Sequence, residues 1–423
     1  MYSVDDLINF NRQQAAQFLV DVVTSGELQL KHPNKDVVTF SRQSKRYRKA
    51  NVILFSDEHL KNQWYMVQIY NLADGYLCDG EVTNPIGSGE IPEFNQLLNN
   101  GDVCFNTKST TSFVDGLLFS QVRPYHFIYD QLISYFELDK IHSIAEYSFT
   151  DKNCFYSELP GEHQLKPAKS DGCYLFPCIK GDQYDSLAAE EMHSFIKGNS
   201  EAKDFSSELT LWFGITAQKR SWLEQSSSCC NIIKQLHKHY PTITVIIDGW
   251  TALDGGIPDS PKDIARDMAV FDSISSQLSK VDGIEIISII GKDYKEKVSY
   301  AKASDFFVAN SGSGGIVPIM FTQSKGVIHT NGRLHTFERS YSDNISIVPN
   351  HKILAQKHAI DAGVYSIEWT VIYNLLAELI GIDEKLPEKE LITNQFYFTF
   401  KRFVFKKSIQ LGLSFQKLKN KFR

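Results

Sequence analysis

Between residues 209 and 329, short β-branched runs alternate with helix-length amphipathic segments, and this alternation limits the possible folds more than any other feature. Residues 209–213 read as a strand. Residues 221–239 read as a helix with Leu223, Ile232, Ile233 and Leu236 on one side, stopped by Pro241. Residues 243–247 are an uninterrupted β-branched run, as a strand covered on both faces requires. A helix over 263–280, a buried strand over 284–290 and a short helix over 294–303 follow. Strands at 306–309 and 326–329 then flank a helix-length apolar segment at 316–321. Four or five strand–helix units in series predict a parallel sheet with helices on both sides, a Rossmann-like α/β domain.

A chain of 423 residues is too long for one core, so two domains are expected. At 42% hydrophobic and 22% charged residues, disordered and fibrous classes are excluded. The first half reads as less regular α/β. Leu7, Ile8, Ala15, Phe18, Leu19 and Val22 predict a helix over 4–23, and strands are expected at 37–40, 51–55 and 65–70. Residues 71–100, rich in Gly, Asn, Pro and Glu, read as a long connection with little regular structure. A helix over 125–136 and strands at 141–149 and 174–176 complete this half. The polar stretch 197–204 has no large apolar residue and reads as a linker, giving domains 1–200 and 208–385 and a tail 386–423. Seven cysteines without a Cys-x-x-Cys pair read as reduced core thiols. No secretory signal and no run of 18 apolar residues is present, so a cytosolic chain is expected.

Ligands of open parallel sheets lie off the carboxyl ends of the strands, and that rule selects candidate residues. Gly214 is followed by the adjacent cations Lys219 and Arg220, suited to phosphate charge, although a solvated helix start has the same composition. Asp248-Gly249-Trp250 and Gly291-Lys292 are two further strand ends. The most informative runs from strand 306–309 into Asn310, Ser311, Gly312, Ser313, Gly314 and Gly315 and then the apolar segment from Ile316. Several free backbone N–H groups at a helix start favour a phosphate or diphosphate there, over a Gly-rich turn that serves tight packing alone. The loop has neither the Lys-Ser/Thr ending of a Walker loop nor dinucleotide Gly-x-Gly-x-x-Gly spacing. In the first half, Arg123-Pro124 opens a helix carrying Tyr125, His126, Tyr129 and Asp130. His126 and Asp130 lie four apart on one face, an acid/base unit or, equally, a core helix with one hydrogen-bonded His.

The strand, the Asn310-to-Gly315 turn, the helix start and the following strand 326–329 resemble the corresponding element of GT-B glycosyltransferases. The texture is closest to bacterial enzymes that assemble lipopolysaccharide or capsule. The similarity covers about residues 209–331. Heptosyltransferase-like members carry Asp before the Ser/Thr-Gly and a His after it, whereas this chain has Asn310 and then Gly314 and Gly315, which leaves the donor sugar open. The resemblance implies two Rossmann-like domains facing a central cleft, with residues 1–200 on the acceptor side. It implies a nucleotide-sugar donor on 311–315, Lys219 and Arg220, with a glycan or glycolipid acceptor met by His126 or Asp130. His329, Arg333, Glu338 and Arg339 would then border the base or ribose. No divalent metal and no other cofactor is expected, since the sequence has no Asp-x-Asp and no His-Glu-x-x-His. A non-catalytic sugar-nucleotide-binding scaffold of a polysaccharide assembly complex and a sugar-nucleotide epimerase are the competing readings.

The net charge of −6 conceals an asymmetry. Residues 401–423 hold eight cations and no acid; without those eight the other 400 residues carry 36 cations against 50 acids, about −14. An acidic body excludes a general nucleic-acid binder. In the tail Phe400, Val404, Leu411, Phe415, Leu418 and Phe422 share a helical stripe, with Lys401, Lys417, Lys419 and Lys421 largely off it. A basic amphipathic helix of this kind is expected to attach peripherally to an anionic membrane on its cytoplasmic face, although packing of part of it on the core is the alternative.

Overall fold

The helix expected over residues 4–23 is two helices, because Asn11 starts a new one. Its side chain accepts the N–H of Gln14 while the Gln14 side chain returns to the Asn11 N–H, so α1 (Val4–Asn9) ends and α2 (Arg12–Ser25) begins there. The computed structural model describes residues 1–105, 113–120, 123–151, 154–179, 186–332, 343–356, 363–388 and 395–421. The chain divides into an N-terminal unit, Met1–Met192, and a C-terminal unit, His193–Arg423.

In the N-terminal unit β1 (Gln29–Lys31), β2 (Val38–Tyr47), β3 (Ala50–Ser56), β4 (Trp64–Gln68), β5 (Gly75–Cys78) and β6 (Glu81–Thr83) form an antiparallel meander in chain order. Two of these strands and α3 (Glu90–Asn99) fall where a structureless connection was expected. Asp79 and Gly80 both take positive φ, the conformation of a tight two-residue hairpin, and Ile91 and Phe94 of α3 join Val52, Val67 and Leu77 in a core. The Gly and Asn content of this stretch therefore serves turns between short elements.

A second, four-stranded sheet is wholly parallel, in the order β11-β8-β7-β12: β7 (Gly116–Leu118), β8 (Ser148–Thr150), β11 (Lys166–Pro167) and β12 (Tyr174–Leu175). A hairpin of β9 (Glu158–Leu159) and β10 (His163–Gln164) lies between. The β7–β8 crossover is one helical run: α4 (Pro124–His126), a π-helical turn (Phe127–Leu132) and α5 (Ile133–Ile141). Helix thus occupies the start of the strand expected over 141–149. This unit is α/β, but its larger sheet is not the expected Rossmann-like one, because turns and short loops rather than helices join its antiparallel strands.

After α6 (Leu187–Gly198) the expected alternation is observed. β13 (Leu209–Gly214), β14 (Ile243–Asp248), β15 (Ile284–Ser288), β16 (Phe306–Asn310), β17 (Lys325–His329) and β18 (Ile345–Ile347) form one parallel sheet in the order β15-β14-β13-β16-β17-β18. Helices α7 (Gln225–Leu236), α8 (Pro261–Leu278) and α9 (Tyr294–Ala301) connect the first four strands. β13 and β14 are buried throughout, whereas β15 is only half-buried because it is an edge strand. The chain leaves β13 towards β14 and β15, then returns through α9 to pair β16 on the other side of β13. That reversal makes the β13–β16 boundary a topological switch point.

A short antiparallel pair, β19 (Leu354–Ala355) and β20 (Tyr365–Ser366), precedes α10 (Trp369–Ile380). The last helix, α11 (Gln395–Lys421), packs on α8. Phe398, Phe405 and Ile409 enter the sheet's own core, and a Cβ on Gly412 would come within 2.6 Å of Ala269 Cβ. The packing alternative for the tail is thus realised on one face of this helix. None of the seven cysteines forms a disulfide and all but Cys104 are buried, as core thiols should be. Among the described residues no helix is long and apolar enough to cross a membrane.

Candidate functional site

The switch point brings together residues from two distant stretches of the chain. Gly214 ends β13 in close contact with Ala309 of β16, where a Cβ would lie 3.2 Å from the alanine Cβ. The chain then turns through Arg220, which holds a positive φ of 50°, and its guanidinium lies against the loop after β16. A Cβ on Gly312 would sit 2.8 Å from Arg220 Nη2, and Gly312 has φ 116° and ψ −149°, a region open essentially to glycine alone. A Cβ on Gly314 would meet Asn310 Oδ1 at 2.6 Å. Its backbone conformation reserves Gly312 for glycine, whereas a side chain at Gly314 would displace the Asn310 amide.

The segment after the loop is a turn of 3₁₀ helix, Ser313–Gly315, followed by a six-residue π-helical turn, Ile316–Phe321. The helix start expected over 316–321 is thus realised as short 3₁₀ and π-helical turns, so a helix dipole would supply little of any anion affinity, which would rest on Arg220 and the glycine loop. Around them the carboxyl ends of β16 and β17 carry a run of buried polar residues: Asn310, Ser311, His329, Thr330 and Asn331. The Ser311 N–H donates to the His329 carbonyl at 2.8 Å. Polar side chains concentrated at the ligand end of an otherwise apolar sheet are a recognised mark of a binding site.

Residues His329, Tyr365 and Trp222 pack as one buried cluster. His329 Nδ1 is 2.6 Å from the Tyr365 hydroxyl, its ring lies 5.2 Å from that of Trp222, and its buried Nε2 has no hydrogen-bond partner. Burial pushes the His329 pKa down to about 3, so the ring is neutral. Lys219 is exposed next to Arg220. Lys292 is not brought to this place: it follows β15 at the far edge of the sheet and pairs with Glu296 at 2.9 Å. Arg333, Glu338 and Arg339 lie outside the described residues.

The chain matches no protein-family model and no curated protein.

Two residues that sequence reasoning passed over hold the loops in place. Asp267 of α8 is buried; its Oδ1 accepts the Ala217 N–H and its Oδ2 the Trp250 N–H, both at 2.8 Å, so one carboxyl joins the loops after β13 and β14. Gly249 is needed beside it, since a Cβ there would fall 2.9 Å from Asp267 Oδ2. Lys297 of α9, with no exposed surface, reaches Asp248 Oδ1 at 2.5 Å, the Gly249 carbonyl at 2.8 Å and Thr251 Oγ1 at 2.9 Å. Burial raises the Asp248 pKa against the pull of Lys297, and raises that of Asp267 from 3.8 to about 7 against its two N–H donors.

The Asp267 shift has a consequence for stability. From about pH 4 to pH 7 the folded carboxyl holds a proton that the unfolded one has released, so its contribution to stability falls as pH rises through this window and is flat above it. Replacing Asp267 by Asn is expected to remove that slope, worth a few kcal/mol, and urea unfolding between pH 4 and 8 measures it.

In the N-terminal unit Pro124 starts the helix after β7, and His126 at the end of α4 and Asp130 in the π-helical turn form a partly buried pair. His126 Nδ1 lies 2.6 Å from Asp130 Oδ2. Tyr70 and Tyr125 flank the imidazole with ring centroids at 5.0 and 5.4 Å, and Lys49 Nζ reaches the Tyr70 hydroxyl at 2.8 Å. A carboxylate on Nδ1 holds the ring proton there and leaves Nε2 to receive a proton from a substrate. If the pair serves as the base of a transfer reaction, replacing either His126 or Asp130 lowers its kcat by about 10²- to 10⁴-fold in steady-state assays, and an unchanged kcat removes that role.

One further cluster, His32, Cys78 and Asp79, places an N, an S and an O donor within 4.8 Å of one another. His32 Nδ1 accepts the Asn34 N–H at 3.1 Å, so the ring proton sits on Nε2 facing Cys78 Sγ at 3.7 Å, and Lys35 holds Asp79 at 3.2 Å. With no nitrogen lone pair turned inward, the trio fits a hydrogen-bonded closure between hairpins rather than a metal site.

Proposed function

We propose that the chain is a metal-independent glycosyltransferase that moves a sugar from a nucleotide donor to a glycan or glycolipid acceptor in surface-polysaccharide synthesis. The observation that carries this reading is the guanidinium of Arg220 laid against Gly312 in the loop at the switch point. A planar cation over a loop whose Gly312 leaves the backbone open to close approach suits the diphosphate of an activated sugar, where the guanidinium offsets charge developing on the leaving group. The partly buried His126–Asp130 pair supplies a base for the acceptor hydroxyl, and the flanking tyrosines supply apolar faces for a sugar ring. A GT-B arrangement, with the N-terminal unit on the acceptor side, is part of this proposal.

Calorimetric titration with UDP-, GDP-, ADP- and CMP-sugars, followed by hydrolysis and transfer assays on whichever binds, tests it. Binding with turnover is the expected result. Binding without turnover of any kind makes the chain a sugar-nucleotide-binding scaffold, epimerised donor makes it an epimerase, and no binding overturns the reading.

A further inference from the structure

Helix α11 is apolar on two faces; among the described residues one packs in the core and the other is largely exposed. Phe398, Phe405 and Ile409 point into the core. On the opposite side Phe400 (55% exposed), Phe403 (57%), Val404 (47%) and Leu411 (61%) fall with Lys407 at helical intervals of three, four, seven and eleven residues. Lys407 lies within this stripe, its Nζ 5.8 Å from the Phe403 ring centroid and its stem long enough to carry the charge to the interface, and Lys406 is exposed beside it. No acidic residue occurs from 391 to 423.

We infer that this outward face of α11 lies flat on an anionic bilayer surface. Phe400, Phe403, Val404 and Leu411 enter the boundary between headgroups and acyl chains, and Lys406 and Lys407 meet lipid phosphates. The inward face is committed to α8, so the helix lies along the surface and cannot turn end-on. Charge selects the occupant. A second copy of the same face would set two acid-free basic tails against each other, whereas a negatively charged bilayer complements both the apolar stripe and its cations. Attachment would also fix the switch-point loops near the surface. Lys401 of the same helix grips Glu224 Oε1 at 2.6 Å, and Glu224 accepts the Ser366 hydroxyl at 2.6 Å, four residues along the chain from Arg220.

The test is vesicle flotation of the full chain without nucleotide, so its failure is separate from failure of the glycosyltransferase reading. Phosphatidylglycerol–phosphatidylcholine vesicles are expected to carry the protein at low salt, and pure phosphatidylcholine vesicles are not. Phe403→Ser/Leu411→Ser should lower the partition coefficient at least about ten-fold. Lys406→Gln/Lys407→Gln should lower it about ten-fold or more at low salt, with the difference vanishing at high salt. All four positions are exposed, so an unchanged urea midpoint confirms folding of each variant. Flotation of the Phe403→Ser/Leu411→Ser protein equal to that of the parent overturns the inference. So does a dimer by light scattering that this variant abolishes, which would give the face to a second copy.

Discussion

Replacing Arg220 by alanine is expected to weaken binding of a nucleoside diphosphate sugar by about 10- to 100-fold, the range for loss of charge-assisted hydrogen bonds to a phosphate. Lysine at this position should recover only part of the loss, because an ammonium keeps the charge but not the planar fork. The glycine it covers gives an independent handle. Gly312→Ala must hold a side chain at φ 116° and displace Nη2 from 2.8 Å, so it should impair binding with Arg220 still present. In an Arg220→Ala background the same change removes the collision but not the backbone strain, and the two losses should be less than additive. Calorimetry on the four proteins reads both the affinity and the coupling. Additive effects, or full affinity in Arg220→Ala, would show that the guanidinium and the loop do not act as one anion site.

What could be read in advance divides along physical lines. β13 and β14 are buried on both faces, so their sequences are continuous apolar runs that announce a parallel sheet without a structure. The meander was legible only where its strands were long. β5 and β6 are four and three residues, joined at Asp79-Gly80, and such short elements are hard to separate from loop by composition. Adjacent cations at 219 and 220 marked the first strand end, but both were equally visible, and only the fold turns Arg220 onto Gly312. Asp267 and Lys297 had a readable signal that went unused. Asp267 shares a helical stripe with Ile264, Met268 and Phe271, and Lys297 shares one with Tyr294, Val298 and Ala301. A charge on an apolar stripe must find a buried partner, and here those partners are loop N–H groups and a strand-end carboxylate. The tail shows the converse. Its stripe through Phe400, Val404 and Leu411 was legible, but the inward face through Phe398, Phe405 and Ile409 was hidden among equally apolar neighbours.

A Lys297→Met protein should be destabilised by about 3–5 kcal/mol, because it keeps the buried Asp248 carboxyl while losing the ammonium that answers it. The same change frees the Gly249 carbonyl and the Thr251 hydroxyl, so the loop after β14 loses its anchor as well. Met fills most of the lysine's volume, which keeps a cavity from accounting for the loss. The pH dependence identifies the cause. Burial already raises the Asp248 pKa with Lys297 in place; without Lys297 it rises further, and the folded state then favours the protonated acid over a wider range. Stability of the variant must therefore fall as pH rises through that range, so its deficit relative to the parent is larger at about pH 8 than at about pH 5. Adding Asp248→Asn removes the orphaned charge and should return a substantial part of the loss, with a coupling of at least about 1 kcal/mol in the double-mutant cycle. Urea unfolding of the parent, the two single variants and the double variant at both pH values measures all of this. A deficit independent of pH and of Asp248 would mean that the lysine acts through packing alone.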